Sequence, residues 1–573
     1  MGSCTSKDAT LTNEGFNRYH KGELKPALQC FREALEIQER QAPNSLRVAR
    51  SHNGIGLVLT DQGDLGGALE EFSKALEIQE RKAPNSLTVA ISYNNIGLAL
   101  KDQGHLEGAL EEFGKALEIR ERKAPNTLTV ATSYNNIGAV LKDQGNLEGA
   151  LREYRKALEI KEREAPNSLT VATSYNNIGA VLKDQGDLEG ALKEFRKDLE
   201  IQEHNAPNSL TVATSYNNIG LVLKDQGRLE GALKELHKAL EIRESKAPNS
   251  LKVATSYNNI GGVLKDQGGL EGALKEYRKA LEIRERDAPH SLTVATSYNN
   301  IGSVLKDQGD MEGAVREHRK ALEIRERDAP NSLTVATSYN NIGLLLSSQG
   351  DLDGALKEFR KSLEIRESKA PNSLTVARFY NNIGAVLKDQ GDLEGALEDF
   401  RKALEIQEHK APDSLAVAKS YNNIGLVLKE QGDLEGAMEE FRKALEIKER
   451  EAPNSLAVAT SYNNIGSVLK DQGDLEGALK EHRKALEIRE SKAPNSLMVA
   501  TSYNNIGGVL KDQGDLEGAL REFRKALEIK ERDVKSCIDR TGPYSGSEAL
   551  SRSPNFGDAS KVEAEVDLRL SEF

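Results

Sequence analysis

Asparagine side chains recur at one place, 41 residues apart, along most of this chain of 573 residues. A primary amide both donates and accepts hydrogen bonds, so a row of such side chains could hold a peptide backbone whatever its sequence. The same row could instead bridge neighbouring helices and only specify how they stack. The asparagines at this place are Asn95, Asn136, Asn177, Asn218, Asn259, Asn300, Asn341, Asn382, Asn423, Asn464 and Asn505.

The N-terminal residues carry a pattern for lipid modification. The sequence begins Met-Gly-Ser-Cys-Thr-Ser-Lys, which matches the N-myristoylation pattern Met-Gly-x-x-x-Ser/Thr. Gly2 would carry the acyl amide, and Cys4 is placed for a second, palmitoyl chain, because one myristoyl chain anchors only marginally. We therefore expect a cytoplasmic protein held on the inner face of a membrane. A chance match or a cloning remnant would leave the terminus unmodified.

Catalytic and metal-binding patterns are missing from the sequence. The nine histidines are scattered, and neither a phosphate-binding Gly-x-x-x-x-Gly-Lys loop nor a His-Glu-x-x-His motif occurs. The three cysteines are too few and too far apart for a disulfide framework or a zinc site. We expect no enzyme, no metal, no cofactor and no small-molecule substrate. The net charge of −12 argues against a nucleic-acid partner.

Repeated helical elements must position the asparagines. A glycine that in most units follows Asp-Gln, such as Gly145, returns every 41 residues and defines 13 units without insertion. We number them as repeats 1 to 13, so that Ala131–Val171 is repeat 4. In repeat 4, Tyr134, Ile137 and Leu141 share one face of a first helix, which Gly145 ends.

A second helix completes each unit. Asn146 caps it, and Ala150 and Ala157 lie on its apolar stripe. Pro166 ends it, and the following serine begins the next first helix. The unit is therefore a helical hairpin that must bury its apolar face on its neighbours.

The small residues at the helix contacts carry a resemblance to a known family. Gly138 and Ala150 have an equivalent in all 13 units. With the bulky residues between them, they resemble the tetratricopeptide repeat, most closely the long repeats of kinesin light chains, over more than nine-tenths of the chain. The resemblance implies an all-α, right-handed α-solenoid of 13 tandem helical hairpins, with the first helices lining a concave groove.

The groove would display the residues opposite the apolar face. At about 100° per residue, Thr132, Asn136, Ala139 and Asp143 point away from the core. In the family, asparagines at such places bind extended peptides. The aspartates equivalent to Asp143 make the predicted groove mostly negative, and the lysines beside them offset this in part.

One stretch of the groove departs from this charge pattern. Ser347 and Ser348 replace Lys-Asp, and the usual threonine becomes Arg378 and then Lys419. The hypothesis is a less acidic patch, together with Asn341, Asn382 and Asn423, that accepts an acidic peptide. Random divergence among near-identical repeats is the alternative, since two charges are a small signal.

The predicted domains are an acylation segment at 1–7, the repeat array at 8–540 and a tail at 541–573. The tail loses the period and gains Ser, Gly and Pro, so it is predicted to be disordered, with a short helix that Val562 and Val566 could begin. Within the array, Asp198 replaces a packing alanine. We expect a loosened hairpin there or a nearby cation such as Lys197.

These observations favour a non-enzymatic scaffold or adaptor that binds extended peptide segments of partner proteins and is anchored to a membrane by its N-terminal lipid. A kinesin-light-chain-like cargo adaptor is one alternative, although the seven residues before the array cannot supply that family's N-terminal coiled coil. A regulatory or sensor subunit of a separate signalling enzyme is another.

Overall fold

A computed structural model describes residues 7–541, and over this range the chain forms 26 α-helices and no strand. The prediction of an all-α array of helical hairpins is confirmed. Two compact units, Met1–Ile283 and Arg284–Phe573, divide the chain and are considered separately. The predicted lipidation sites Gly2 and Cys4, and the predicted tail helix near Val562, lie outside the described residues.

Odd-numbered helices are the first helices of the repeats, and even-numbered helices are the second helices. The helices that begin within the first unit are α1 (Lys7–His20), α2 (Leu24–Gln41), α3 (Leu46–Asp61), α4 (Leu65–Lys82), α5 (Leu87–Asp102), α6 (Leu106–Lys123), α7 (Leu128–Asp143), α8 (Leu147–Glu164), α9 (Leu169–Asp184), α10 (Leu188–Asn205), α11 (Leu210–Asp225), α12 (Leu229–Lys246), α13 (Leu251–Asp266) and α14 (Leu270–Asp287). Those that begin within the second unit are α15 (Leu292–Asp307), α16 (Met311–Asp328), α17 (Leu333–Ser348), α18 (Leu352–Lys369), α19 (Leu374–Gln390), α20 (Leu393–Lys410), α21 (Leu415–Glu430), α22 (Leu434–Glu451), α23 (Leu456–Asp471), α24 (Leu475–Lys492), α25 (Leu497–Asp512) and α26 (Leu516–Thr541).

The helix ends follow the predicted turn chemistry. Gly145 has a φ of 79°, a left-handed conformation that glycine adopts at little cost after a helix. The Asn146 side chain accepts a hydrogen bond at 3.0 Å from the Gly149 amide, which caps the second helix. Asn167, in the loop that leads to the next repeat, has a φ of 56°, which the sequence pattern did not reveal. These local signals set the hairpin boundaries.

Small residues allow the two helices of a hairpin to approach closely. A Cβ atom built on Gly138 would lie 2.9 Å from the Tyr154 ring, so only glycine fits without a shift. Ala150 and Ala157 have no exposed surface. Within the hairpin of α7 and α8, Ala157 packs in a cluster with Val130 and its neighbours. The predicted contact residues are therefore buried as expected.

The repeated tyrosine lies at the edge of this core rather than inside it. Tyr134 is half-buried and packs against the cluster around Val130. Its hydroxyl donates a hydrogen bond to the Glu121 carboxylate, and Lys156 Nζ lies 5.0 Å from its ring centroid. Because the phenol keeps its polar end at the surface, the interior depends more on valine and alanine than the sequence pattern predicted.

Asp198 is buried without a cation, so both expectations for it are wrong. Helix α10 continues unbroken past it, and Lys197 bonds instead to Glu194 at 3.2 Å. The Ser215 hydroxyl donates to the Asp198 carboxylate at 2.6 Å, and Gln202 contributes a longer bond of 3.5 Å. Burial raises the pKa of Asp198 to about 6, and these two hydrogen bonds offset part of that rise.

Candidate peptide-binding face

The first helix of each repeat exposes one side, which we call the first-helix face. In α7 it is formed by Leu128, Thr132, Asn136, Ala139 and Asp143, all exposed or half-buried. The Thr132 hydroxyl donates to the Leu128 carbonyl at 2.9 Å, so it is satisfied within the helix. Leu128 is 42 % exposed and has similarly exposed counterparts in most repeats. This row of leucines at the helix starts is a feature that the sequence analysis did not single out.

The asparagines form hydrogen bonds between neighbouring first helices. The Asn136 Nδ2 group donates to Asn94 Oδ1 of the preceding repeat at 3.0 Å. Asn95, Asn300 and Asn341 occupy the same place on α5, α15 and α17. Bonds of the same kind, between 2.6 and 3.5 Å, are donated by Asn177, Asn218, Asn259, Asn382, Asn423, Asn464 and Asn505.

The alternative in which the asparagines only specify helix stacking requires such a ladder. The ladder does not use every donor and acceptor of the amides, however. An asparagine amide has two N–H donors and a carbonyl oxygen with two lone pairs. The bond from Asn136 to Asn94 uses one of the two N–H donors of Asn136. The other groups of that amide are held in a defined orientation on a half-buried side chain. Contact with a peptide stays a prediction.

Lysines and aspartates form a second ladder along the same face. Lys142 Nζ lies 3.3 Å from a carboxylate oxygen of Asp184 in the next repeat. The same pairing joins Lys101 to Asp143, Lys183 to Asp225, Lys224 to Asp266, Lys429 to Asp471 and Lys470 to Asp512. The predicted negative charge of the groove is therefore reduced, because a lysine of the preceding repeat neutralises the aspartate in each of these pairs. Such exposed pairs contribute at most about 1 kcal/mol each.

The ladder is interrupted at repeat 9. Ser347 and Ser348 replace the lysine and the aspartate, and the Ser348 hydroxyl donates to the Leu345 carbonyl at 2.7 Å. In the next repeat, Asp389 pairs with Lys388 of its own helix at 3.1 Å. Lys388 also lies 3.6 Å from Glu430 in repeat 11. The predicted patch therefore coincides with a real change in charge pairing.

Arg378 and Lys419 lie where the sequence pattern predicts them, at the threonine place on α19 and α21. Both side chains are exposed. Among the described residues, no carboxylate forms an ion pair with either of them. The structure thus places two uncompensated cations on the first-helix faces of consecutive repeats.

A third cation belongs to this patch and was missed by sequence reasoning. In most repeats, the end of the second helix buries a basic or amide side chain against a serine of the next first helix, as Arg120 does with Ser133 at 2.6 Å. In repeat 10 the serine is replaced by Phe379. The Arg366 guanidinium stacks on this ring, 4.8 Å from its centroid, and its Nη2 donates to Thr337 Oγ1 at 2.7 Å.

Phe379 therefore directs Arg366 toward the first-helix face. Burial and the nearby charge of Arg378 both lower the pKa of Arg366, in that order. The signal was present in the sequence as Arg-Phe in place of Thr-Ser, but only its arginine was noted. Phenylalanine matters because it takes the space that the guanidinium occupies elsewhere.

Two features bear on other kinds of function. Among residues 7–533, whose side chains the structure describes, no group of histidine, cysteine, aspartate or glutamate side chains is arranged to hold a metal ion. Over the same part of the chain, no helix combines the length and the apolar character needed to cross a membrane.

The hairpins, their glycine contacts and the repeated first-helix face define a helical repeat protein of the protein-interaction class. The sequence matches the tetratricopeptide repeat family over residues 7–81, 47–122, 129–204, 211–286, 293–368, 375–450 and 457–532. The chain belongs to the tetratricopeptide repeat family. No curated protein sequence matches it.

Several solved structures are similar to parts of the chain. BtubC (BKLC) from P. vanneervenii is 22 % identical, with a TM-score of 0.36 over 41 % of this chain and 94 % of that one. The apo form of RapI is 21 % identical, with a TM-score of 0.40 over 49 % of this chain and 98 % of that one. The APC/C hetero-tetramer Cut9-Hcn1 is 14 % identical, with a TM-score of 0.39 over 91 % of this chain and 94 % of that one.

Proposed function

We propose that this tetratricopeptide repeat protein is a non-enzymatic scaffold that binds extended peptide segments of partner proteins along its first-helix faces. The observation that carries the proposal is the ladder of asparagine amides, such as Asn136 on Asn94 at 3.0 Å. Because each bond orients an amide in advance, less conformational entropy is lost when a peptide backbone binds. The exposed leucine and threonine places beside the ladder offer contacts for peptide side chains.

We further propose that the scaffold acts at a membrane. Its support is the N-terminal pattern, with Gly2 for a myristoyl chain and Cys4 for a palmitoyl chain. Two acyl chains hold a protein firmly, whereas one gives reversible attachment. A lipid on the short segment before α1 would bring bound partners to the membrane surface.

Proximity labelling in eukaryotic cells tests both parts of the proposal. The wild-type chain is compared with Gly2→Ala and with a triple variant, Asn136→Ala, Asn177→Ala and Asn218→Ala. Gly2→Ala should shift the labelled proteins from membrane to cytosolic ones. In the triple variant, the labelling of partners that contact these repeats should fall at least about tenfold. Each lost hydrogen-bonding side chain costs roughly 1 kcal/mol of binding free energy, and the three losses add.

A matched control carries three substitutions on the opposite, second-helix side of the same repeats, Arg152→Ala, Lys193→Ala and Lys234→Ala, where all three side chains are exposed. This control should keep the wild-type partners. Circular dichroism establishes that the asparagine variant is folded. Full labelling by a folded asparagine variant would refute the peptide-binding role, and a free Gly2 amine in the N-terminal peptide would refute the anchor.

A further inference from the structure

The patch in repeats 9 to 11 contains two neighbouring guanidinium groups rather than isolated charges. Arg378 lies on the exposed side of α19. The ring of the adjacent Phe379 packs against the Arg366 guanidinium, whose Cζ atom is 4.8 Å from the ring centroid. Arg366 is fixed further by its 2.7 Å bond to the Thr337 hydroxyl on the adjacent first helix. Thr337 and Arg378 hold equivalent places on α17 and α19, so both guanidinium groups face the same side.

Equivalent arginines in other repeats are withdrawn from this face. Arg243 is 5 % exposed and donates to Ser256 at 2.7 Å, and Arg489 is 5 % exposed and donates to Ser502 at 2.7 Å. Arg366 is half-buried and has a phenylalanine where the serine acceptor would be. The replacement therefore changes the position of a charge without adding one.

Carboxylates do not compensate this group of cations. Among the described residues, neither Arg366, Arg378 nor Lys419 forms an ion pair. At the interrupted lysine–aspartate ladder, Ser347 and Ser348 replace one lysine and one aspartate, so the excess of positive charge comes from Arg366, Arg378 and Lys419. An exposed cluster of this kind is available to an anionic ligand.

We propose that Arg366, Arg378 and Lys419 form a binding site for a phosphoserine or phosphothreonine side chain in a peptide segment of a partner protein. This inference rests on the proposed peptide-binding function and names the ligand class of one part of the face. Lys419, one repeat further along, contacts the following part of the same segment or a second anionic residue in it.

The paired guanidinium groups favour a phosphate over a carboxylate. Each guanidinium presents a planar fork that binds two oxygen atoms, and one fork already satisfies a carboxylate. A phosphate monoester carries a charge of about −1.5 to −2 at pH 7 and three acceptor oxygens, so it can bridge two forks. Two neighbouring guanidinium groups that have no carboxylate partner are therefore better matched by a phosphate ligand than by a carboxylate ligand.

Binding is measured with three degenerate nonapeptide libraries that differ only at the fixed central residue: phosphothreonine, glutamate or threonine. The purified full chain is immobilised at 150 mM salt, and the retained peptides are quantified by mass spectrometry. The wild type should retain the phosphothreonine library about tenfold better than the glutamate library, because a phosphate can accept bonds from both guanidinium groups and a carboxylate from one. A tenfold preference corresponds to roughly 1.4 kcal/mol.

Phe379→Ser is the decisive variant, because it leaves every charge in place. It restores the serine found in the other repeats, so Arg366 should withdraw into the buried position and the preference for phosphothreonine should fall about tenfold, equivalent to roughly 1.4 kcal/mol. Arg366→Gln, which introduces the residue of several other repeats, and Arg378→Thr should have the same effect. Lys252→Thr, an exposed lysine on α13 returned to the usual residue, is the matched control and should change nothing.

A gain of binding tests the same geometry elsewhere. Thr501→Arg with Ser502→Phe copies the pair into repeat 13, where Arg489 would be displaced, and should raise the number of phosphopeptides bound per chain from one to two. Equal retention of the phosphothreonine and glutamate libraries would overturn the inference. So would an unchanged preference in folded Phe379→Ser and Arg366→Gln variants. If the asparagine variants still lose partners in the labelling experiment, only the phosphate site fails and the scaffold function stands.

Discussion

At the scale of single residues, the second-helix position that faces the contact glycine holds a tyrosine in some repeats and a histidine in others, and the two side chains differ in how their burial depends on pH. His318 and His482 stand where Tyr154 stands in repeat 4, and they are 6 % and 2 % exposed. Burial lowers the pKa of both histidines to about 4, and nearby cations such as Arg325 and Lys470 add to the effect. Neutral imidazole is therefore the form that these two hairpins can bury.

This difference predicts a local loss of stability in acid. In the unfolded chain a histidine has a pKa near 6.5, so the unfolded state takes up a proton before the folded state does as the pH falls. The stability is fully present above pH 6.5 and is lost between about pH 6.5 and pH 4, by roughly 3 kcal/mol for each histidine. Hydrogen–deuterium exchange should show α16 and α24 losing protection at pH 4.5 relative to pH 7.

His318→Tyr and His482→Tyr should remove most of this pH dependence, because tyrosine fills the same place in repeat 4 and is neutral throughout this range. His237→Tyr, at an exposed position on α12, is the control and should leave the pH profile as it was. An identical acid response in the wild type and the two buried-site variants would contradict the assignment of the effect to these histidines.

At the scale of elements, the close approach of the two helices in a hairpin depends on a missing side chain. In repeat 3, a Cβ atom on Gly97 of α5 would lie 2.8 Å from the Phe113 ring of α6. Gly114, in the same hairpin, has nothing within 4 Å of its Cβ position. Substitutions at the two glycines therefore separate the contribution of helix-to-helix contact to the stability of the repeat from the contribution of helix propensity.

Gly97→Ala should destabilise repeat 3 by about 1–3 kcal/mol, because the ring must move in a packed interior. Gly114→Ala should stabilise the same repeat by up to about 1 kcal/mol, since alanine is the better helix former. Hydrogen exchange of α5 and α6 measures both changes. Stabilisation by both substitutions would show that the hairpin is more loosely packed than its geometry indicates.

At the scale of the whole molecule, stability is distributed along a series of similar contacts. Within each of the two units, neighbouring hairpins pack on each other, as Leu117 of α6 does against the cluster of Val130, Ala157 and Ile160 on α7 and α8. In such an array the free energy of unfolding is close to a sum of repeat and neighbour terms. No single repeat is then indispensable to the fold of the others.

Deletion of one complete repeat, residues 131–171, should therefore leave a folded protein. The deletion joins Val130 to Ala172, which preserves the local sequence and presents equivalent faces to each other. Circular dichroism should give an unchanged helical content per residue. A control deletion of half a repeat, residues 131–150, joins Val130 to Leu151 and fuses unlike helices, so it should lose helical signal.

Much of the fold could be predicted from local residues, because the period, the turn glycines and the capping residues each act within a few positions. Gly145, Asn146 and Ala150 behave as predicted. The asparagine and lysine ladders were predicted only as rows, since their partners belong to different repeats. Their bonds depend on the offset between adjacent helices, which no local pattern contains.

The sequence by itself determined the 41-residue hairpin, its boundaries and the side of the first helix that faces outward, because helix periodicity and turn chemistry are short-range properties. Tertiary structure alone decided which polar groups meet between helices: Asp198 with Ser215, Asn136 with Asn94, and Arg366 with Thr337. The physical reason is competition for space. Phe379 fills a volume that a serine leaves open, and only the packed neighbours decide where the displaced guanidinium goes.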